Sequence, residues 1–324
     1  MRYKKLGKSD IEVSEIGLGC WTMGGLNWQN GVSIGWADVN ENEIAEAINY
    51  AIDQGVNHFD NADVYGNGRA ERMLARILGN RTNDFIIATK VGWFPGTAEH
   101  AYDPLHIRHQ CEQSLKNLNR DYIDLYYFHH GYFGKNDEYL DDAVEVMYRL
   151  KEEGKIRLIG QSAYSNEDFV RLVPKVKPDV LQSSANAIDD HYLADGTPVR
   201  KLLEEEQMSF VAFSPLAQGL LLDKYKKENP PKFESGDHRS RSDKFKPEYL
   251  AWLEPRLNKL KEKFGNTTED LARVALQYLL HYSVVGSVIP GFRNLNQVKI
   301  NLSAADKPLT DDEFEFVKSV FSVE

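Results

Sequence analysis

The sequence predicts a single-domain (β/α)8 barrel, a TIM barrel, over residues 1–324 with a β-hairpin at its N-terminus. Three observations predict it. Short apolar, β-branched runs alternate eight times with longer amphipathic ones, the pattern of parallel strands joined by helices. Each apolar run breaks off into polar residues, as strands do where a barrel opens its C-terminal face. The fingerprints of a nucleotide-binding open sheet are missing: Gly17-Leu18-Gly19 runs through Cys20 and Trp21 to Thr22 where a third glycine is required, and no Gly-Lys pair has a glycine five residues before it.

In chain order, Tyr3–Leu6 and Ile11–Val13 read as hairpin strands around Gly7-Lys8-Ser9-Asp10. Ile16–Cys20 then precedes Asn42–Gln54, whose Ile44, Ala47, Ile48, Ala51 and Ile52 recur at helical spacing. Val56–Asp60 precedes Ala70–Leu78, Phe85–Lys90 precedes His106–Leu118, and Ile123–His129 precedes Leu140–Glu152. Ile156–Ser162 leads to Glu167–Val173, and Val180–Ser183 to Val199–Glu205. Phe210–Ser214 is followed by two helices, Tyr249–Phe264 and Thr268–Leu280; Val284–Ile289 is followed by Leu295–Leu302, and a last helix spans Asp311–Phe321. The longest irregular stretch, 223–248, is rich in Lys and Arg with acids interspersed, and reads equally as a solvated loop or as a lid over an anionic ligand.

Composition narrows the function classes. Hydrophobic residues are 42% and charged residues 27% of the chain, ordinary for a folded domain. A net charge of −10 argues against nucleic acid or an anionic membrane as the main partner. The only cysteines, Cys20 and Cys111, lie far apart, and neither a signal peptide nor a membrane span is visible, so the expected compartment is the cytoplasm. His106 and His109, three apart on a helix, lack a third ligand and are read as helix surface rather than a metal site.

The chemistry gathers at strand ends. Asp60 and Lys90 close two neighbouring strands, and a carboxylate and an amine buried at one rim are tolerated when they pair. Tyr65 follows on the loop Asn61-Ala62-Asp63-Val64, and a phenol near that ammonium is expected to ionise more easily than a free one. His129, Ser162, Gln182 and Ser214 end other strands, so the barrel brings them to the same mouth. A lysine free of its aspartate could instead act as a Schiff-base nucleophile, but one tied to a carboxylate is protonated and a poor one.

Taken in order and at their spacing, these pieces resemble the aldo-keto reductase family. They are Gly17-Leu18-Gly19-Cys20-Trp21, Phe59-Asp60-Asn61-Ala62-Asp63-Val64-Tyr65-Gly66, Thr89-Lys90, Asp124–His129, Ser214–Gly219 and Ile289-Pro290-Gly291. The resemblance runs from the hairpin to about Asn301. It implies NADPH-dependent reduction of a small-molecule carbonyl, with Asp60, Tyr65, Lys90 and His129 as the catalytic tetrad and Tyr65 as proton donor. It also implies an alternative, an NADP-binding regulatory subunit of the same fold, against which the complete tetrad weighs.

The same resemblance implies a cofactor site. Ser162 and Gln182 match the residues that hold the nicotinamide carboxamide, while Ala163 stands where the family often has Asn, with Asn186 a candidate substitute. Phe213 matches the stacking aromatic, usually Tyr, and Leu216, Gln218 and Gly219 match the loop around the pyrophosphate. Trp21, Asp60, Ser214, Pro215, Lys224 and Gly291 complete the implied NADP(H)-binding set. Arg293, Gln297 and Asn301 fall four apart beside a helix N-terminus, where the arginine fork suits a 2′-phosphate. Substrate choice is expected to lie in the loops 24–38, 91–103, 131–137 and 188–197, and the short C-terminus to leave an open mouth.

Overall fold

The computed structural model of the chain describes residues 1–29, 31–37 and 39–322; Asn30 and Asp38 of the predicted loop 24–38, and the last two residues, lie outside the described ones. The N-terminal hairpin joins β1 (Tyr3–Lys5) to β2 (Glu12–Ser14), the second strand one residue later than predicted. β3 (Leu18–Gly19) is shorter than the predicted run, because Cys20 already enters a 3-10 turn. The expected loop that follows is in part a second hairpin, β4 (Leu26–Gln29) against β5 (Val32–Gly35).

Strands and helices then alternate: α1 (Glu41–Asp53), β6 (His58–Asp60), α2 (Arg69–Leu78), β7 (Ile86–Val91), α3 (Pro104–Leu118), β8 (Ile123–Phe128), α4 (Leu140–Glu152). β9 (Ile156–Ser162), α5 (Asn166–Val176), β10 (Val180–Ser184), α6 (Pro198–Glu205) and β11 (Ser209–Phe213) continue the pattern. After an extended segment come α7 (Pro247–Phe264), α8 (Thr268–His281), β12 (Val285–Ile289), α9 (Leu295–Leu302) and α10 (Asp311–Phe321). Helix starts carry the polar caps their sequences supply, among them Asn40, Asp103 and a reciprocal Thr267–Asp270 box.

Eight parallel strands run in the order β3-β6-β7-β8-β9-β10-β11-β12, and parallel bridges Ile16–Val288 and Gly19–Gly291 close the barrel. Leu125, Tyr127, Leu158, Val180, Val211 and Ile289 fill its interior, and Leu6, Ile11 and Val13 of the first hairpin pack against them. The hairpin thus plugs the end where the strands begin, leaving the other end for a site. Tyr127 lies flat in the interior because β9 carries Gly160 beside it: a Cβ there would come within 2.1 Å of the ring. Asp124 is structural, accepting from the Ile87 N–H at 2.9 Å and pairing with Arg157 at 3.0 Å.

Candidate active site

Register decides which side chains meet. Gly19 pairs with Asp60, Asp60 with Ala88, and Gln182 with Ser162, so Asp60, Ser162 and Gln182 all reach the C-terminal mouth. Lys90, 1% exposed, donates to the Asp60 carboxylate, to the Asn61 carbonyl at 2.6 Å and to the Tyr65 hydroxyl at 3.4 Å. An ammonium this deep is stable only because a carboxylate neutralises it and carbonyl and hydroxyl oxygens take its remaining protons. The Tyr65 loop is tied to β7 by the Asp63 N–H, which donates to the Lys90 carbonyl at 3.2 Å. Asp63 itself is pushed up to about 7, burial outweighing the hydrogen bond from the Gln110 amide at 3.0 Å.

The phenol does not behave as expected from its neighbour. Tyr65 sits well above the usual tyrosine pKa; burial is the main cause and the Asp60 carboxylate the next. Lys90 is already neutralised by Asp60, so little of its charge is left to favour a phenolate. Tyr65 therefore holds its proton, the state a proton donor needs. His129 follows β8, its N–H held by the Val91 carbonyl at 2.9 Å, and its ring lies 6.0 Å from that of Tyr65. Burial, with Lys90 next, drives its pKa well below the imidazole range, so it is neutral. His129 Nδ1 is buried without a partner among the described residues, and the ring forms part of the cleft wall.

A cleft of about 660 Å³ opens over this group, within the roughly 300–1,000 Å³ typical of small-molecule sites. Every residue predicted for the site lines it except Lys90, which reaches it through Asp60 and Tyr65. Ser162 Oγ is buried there with no partner among the described residues, and Gln182 is anchored by donating to Asp60 at 2.8 Å. An orphan hydroxyl beside a fixed amide fits a carboxamide ligand. Asn186 is not a substitute for the missing Asn at 163: its side chain accepts from Ile188 N–H at 3.1 Å and donates to the Ser214 carbonyl at 3.5 Å, and it lies outside the cleft walls. Phe213 keeps its face in the cleft. Ser214, Ala217 and Gln218 all take positive φ, a cluster of strained non-glycine residues of the kind found around ligand sites.

At the far end, Lys224, Arg239 and Arg293 line the cleft together, and partial burial followed by the charge of these two guanidinium groups lowers the Lys224 pKa. Arg239 is balanced by Asp237 at 2.8 Å, whereas Arg293 makes no ion pair among the described residues. Three cations with one carboxylate leave this end of the cleft with a surplus of positive charge. Gln297 and Asn301 also brace the turn before α9: Gln297 accepts from Arg293 N–H at 2.8 Å and Asn301 donates to the Gly291 carbonyl at 3.5 Å.

Several lining residues carry no signal in the sequence pattern, among them Tyr164, Ser184 and His238. His238 belongs to segment 223–248, which divides between the two expected roles. Most of it is exposed, but Tyr225, His238 and Arg239 fold over the cleft. His238 meets Gln218 at 2.9 Å and packs on Trp21 at 5.0 Å; Arg239 covers Trp36 at 4.5 Å. The mouth is thus bridged from this side, while no described residue after Asn301 lines it. His106 also departs from its predicted surface position: it is buried beneath Gly96.

A family model described as Aldo/keto reductase family matches residues 15–321. The chain is 33% identical over 330 aligned positions to the uncharacterized oxidoreductase YqkF of Bacillus subtilis (strain 168), spanning 98% of this chain and 96% of that protein. Among solved structures it is similar to aldo-keto reductase AKR11C1 from Bacillus halodurans in its holo form (TM-score 0.75, 27% identity, 100% of this chain and 98% of that one). It is also similar to the glycerol dehydrogenase AKR11B4 from Gluconobacter oxydans (TM-score 0.80, 26% identity, 98% and 94%).

Proposed function

The chain belongs to the aldo/keto reductase family, and from that premise we propose that it is an NADPH-dependent reductase of aldehyde, ketone or sugar carbonyls with Tyr65 as proton donor. The observation that carries this reading is Lys90 in contact with both Asp60 and Tyr65 at the floor of a cleft that His129 and Ser162 share.

The nicotinamide, when bound, supplies hydride to the carbonyl carbon. Ser162 and Gln182 would hold its carboxamide, and Phe213, which lines the same cleft, would offer the ring a flat apolar face. As the carbonyl oxygen gains negative charge, the neutral His129 ring donates a hydrogen bond to it and Tyr65 gives up its proton. An alkoxide is a stronger base than a phenolate, so this transfer runs downhill even from a phenol whose pKa is raised. The Lys90 N–H that already reaches the Tyr65 hydroxyl then donates to the oxygen left behind, and Asp60 holds the Lys90 side chain in place for that contact.

Lys224, Arg239 and Arg293 favour NADPH over NADH, since the extra phosphate answers a surplus of positive charge. The compartment proposed is the cytoplasm, in keeping with two buried, unbridged cysteines. Among the described residues no helix is long and apolar enough to cross a membrane. The test is a panel of aldehydes, ketones and sugars followed by loss of NADPH absorbance, with NADH as control. Carbonyl-dependent oxidation of NADPH, slower with NADH, supports the reading; no oxidation with any compound overturns it.

A further inference from the structure

Two phenol rings flank the Lys90 ammonium, that of Tyr65 with its centroid 5.1 Å away and that of Tyr127 at 5.8 Å. They face it from different sides. Tyr65 lines the cleft, whereas Tyr127 is fully buried, lies outside the cleft walls and belongs to the apolar filling of the barrel with Leu125 and Leu158. Register puts it there: Lys90 of β7 pairs with Tyr127 of β8, and Tyr127 with Gly160 of β9. Side chains at paired positions of neighbouring parallel strands leave the sheet on the same face, so the lysine tail and the ring enter the barrel at one level.

The ring has one place to lie. Gly160 leaves bare backbone beside it, and any Cβ there would come within 2.1 Å of a ring carbon. The hydroxyl at its end is buried with no hydrogen-bond partner among the described residues, and burial, followed by the Asp60 carboxylate, holds its pKa well above the usual tyrosine value. Neutral and outside the cleft, it is no second proton donor. What Tyr127 presents to Lys90 is its face.

The contacts of the ammonium are unequal. Those to the Asp60 carboxylate and, at 2.6 Å, to the Asn61 carbonyl are tight, while the one to the Tyr65 hydroxyl, at 3.4 Å, is long. A hydrogen bond of that length is weak and does not hold its own geometry. A lysine tail turns about several bonds, so Nζ stays within reach of Tyr65 only where its surroundings leave it no other place. Asp60 and Asn61 anchor it from the cleft side, and the Tyr127 ring closes the interior side with a face that attracts a cation. Without the ring, Nζ has room to sink into the barrel while keeping its two tight bonds, and the Tyr65 contact is the first to go.

We propose that Tyr127 is a positioning residue for the proton transfer: its ring is the floor that keeps the Lys90 ammonium at the Tyr65 hydroxyl, and it acts through its face rather than its own hydroxyl. This rests on the reductase reading above and adds to it a residue that touches neither substrate nor cofactor.

The test is single-turnover reduction of benzaldehyde, propanal and glyceraldehyde by the full chain loaded with NADPH. The chains compared are the parent, Tyr127→Phe, Tyr127→Leu, Tyr65→Phe and the Tyr65→Phe/Tyr127→Leu double variant, with NADPH affinity read by fluorescence titration. A displacement of about 1 Å at a reacting group costs up to about 10²-fold, so Tyr127→Leu should slow all three aldehydes by one common factor of roughly ten to a hundred, with NADPH affinity unchanged. Tyr127→Phe keeps the face and should stay close to the parent rate. In the Tyr65→Phe background Tyr127→Leu should add little, because it acts through the Tyr65 proton.

A Tyr127→Leu variant as fast as the parent, a Tyr127→Phe variant as slow as Tyr127→Leu, or a Tyr127→Leu effect undiminished without the Tyr65 hydroxyl overturns the inference. If Tyr127→Leu does not fold, Tyr127→Met, which fills the space without a rigid face, takes its place with the same outcomes. An active parent with any of these failures loses only the role of Tyr127. Absence of turnover of all three aldehydes by the parent instead overturns the reductase reading, and that role with it.

Discussion

The Lys90 ammonium is shared between the Asp60 carboxylate and the Tyr65 hydroxyl, the latter 3.4 Å away, within a pair almost closed to solvent. Two consequences follow from that one contact: the charge is immobile, and it is committed to Asp60 before it can ionise Tyr65.

Removing one partner of a buried pair strands the other. Lys90→Met leaves the Asp60 carboxylate in the barrel mouth with, among the described residues, only the Gln182 amide donating to it, and should destabilise the fold by about 3–5 kcal/mol. Asp60→Asn/Lys90→Met should recover much of that stability while remaining inactive. Urea unfolding of both variants checks this; equal loss in the single and double variants would mean that the pair's charge is not what the fold is compensating.

Asp63 is a different case, a buried carboxyl that among the described residues is bonded by the Gln110 amide and by no cation. Its folded pKa of about 7 lies above the ordinary 3.8, so near neutral pH the folded chain keeps a proton that the unfolded chain has released. Its contribution to stability is whole below about pH 4 and is lost as pH rises through 7. Asp63→Asn cannot ionise. Its stability relative to the parent should be near zero at about pH 4 and reach a gain of a few kcal/mol at about pH 8, growing by about 1.4 kcal/mol for each pH unit climbed between the two pKa values. Thermal unfolding across that range reads the difference, and a gap that does not widen with pH contradicts it.

Much of the fold and of the site is legible in the sequence itself. The barrel follows from eight alternations of strand and helix period, and the meeting of Asp60, Lys90 and His129 at one mouth from their places at strand ends, because strand ends in a closed parallel barrel have only one place to go; the catalytic roles, that of Tyr65 on its loop included, come from the family resemblance. The hairpin of β4 and β5 also has a local signal, Asn30-Gly31 between Trp28-Gln29 and Val32-Ser33, which outweighs a reading of that stretch as plain loop. His238 and Arg239 are less accessible. Their place over Trp21 and Trp36 depends on contacts between the first strand's loop and the segment after the seventh, which no local period records. The raised Tyr65 pKa runs against the sequence expectation for a physical reason: proximity to Lys90 is visible in the chain order, whereas burial and the prior claim of Asp60 on that ammonium exist only in three dimensions.

Among the described residues Arg293 has no carboxylate of its own, so its guanidinium is available to a phosphate. Arg293→Ala should raise KM for NADPH by about tenfold or more, the scale of one charge-assisted hydrogen bond, and leave KM for NADH almost unchanged. Initial rates with each cofactor separate the two. An equal loss for both would assign Arg293 to the fold of the turn before α9 rather than to cofactor choice.

The most direct measurement is single-turnover reduction of benzaldehyde by the Tyr65→Phe variant loaded with NADPH, alongside the parent chain. Removing the hydroxyl takes away the proton donor and leaves the ring that packs on Trp21. The rate should fall by about 10²–10⁴-fold while NADPH affinity, read by fluorescence titration, stays at the parent value. A variant that reduces the aldehyde as fast as the parent would contradict the assignment of Tyr65 as proton donor and, with it, the role given to Lys90 and Asp60.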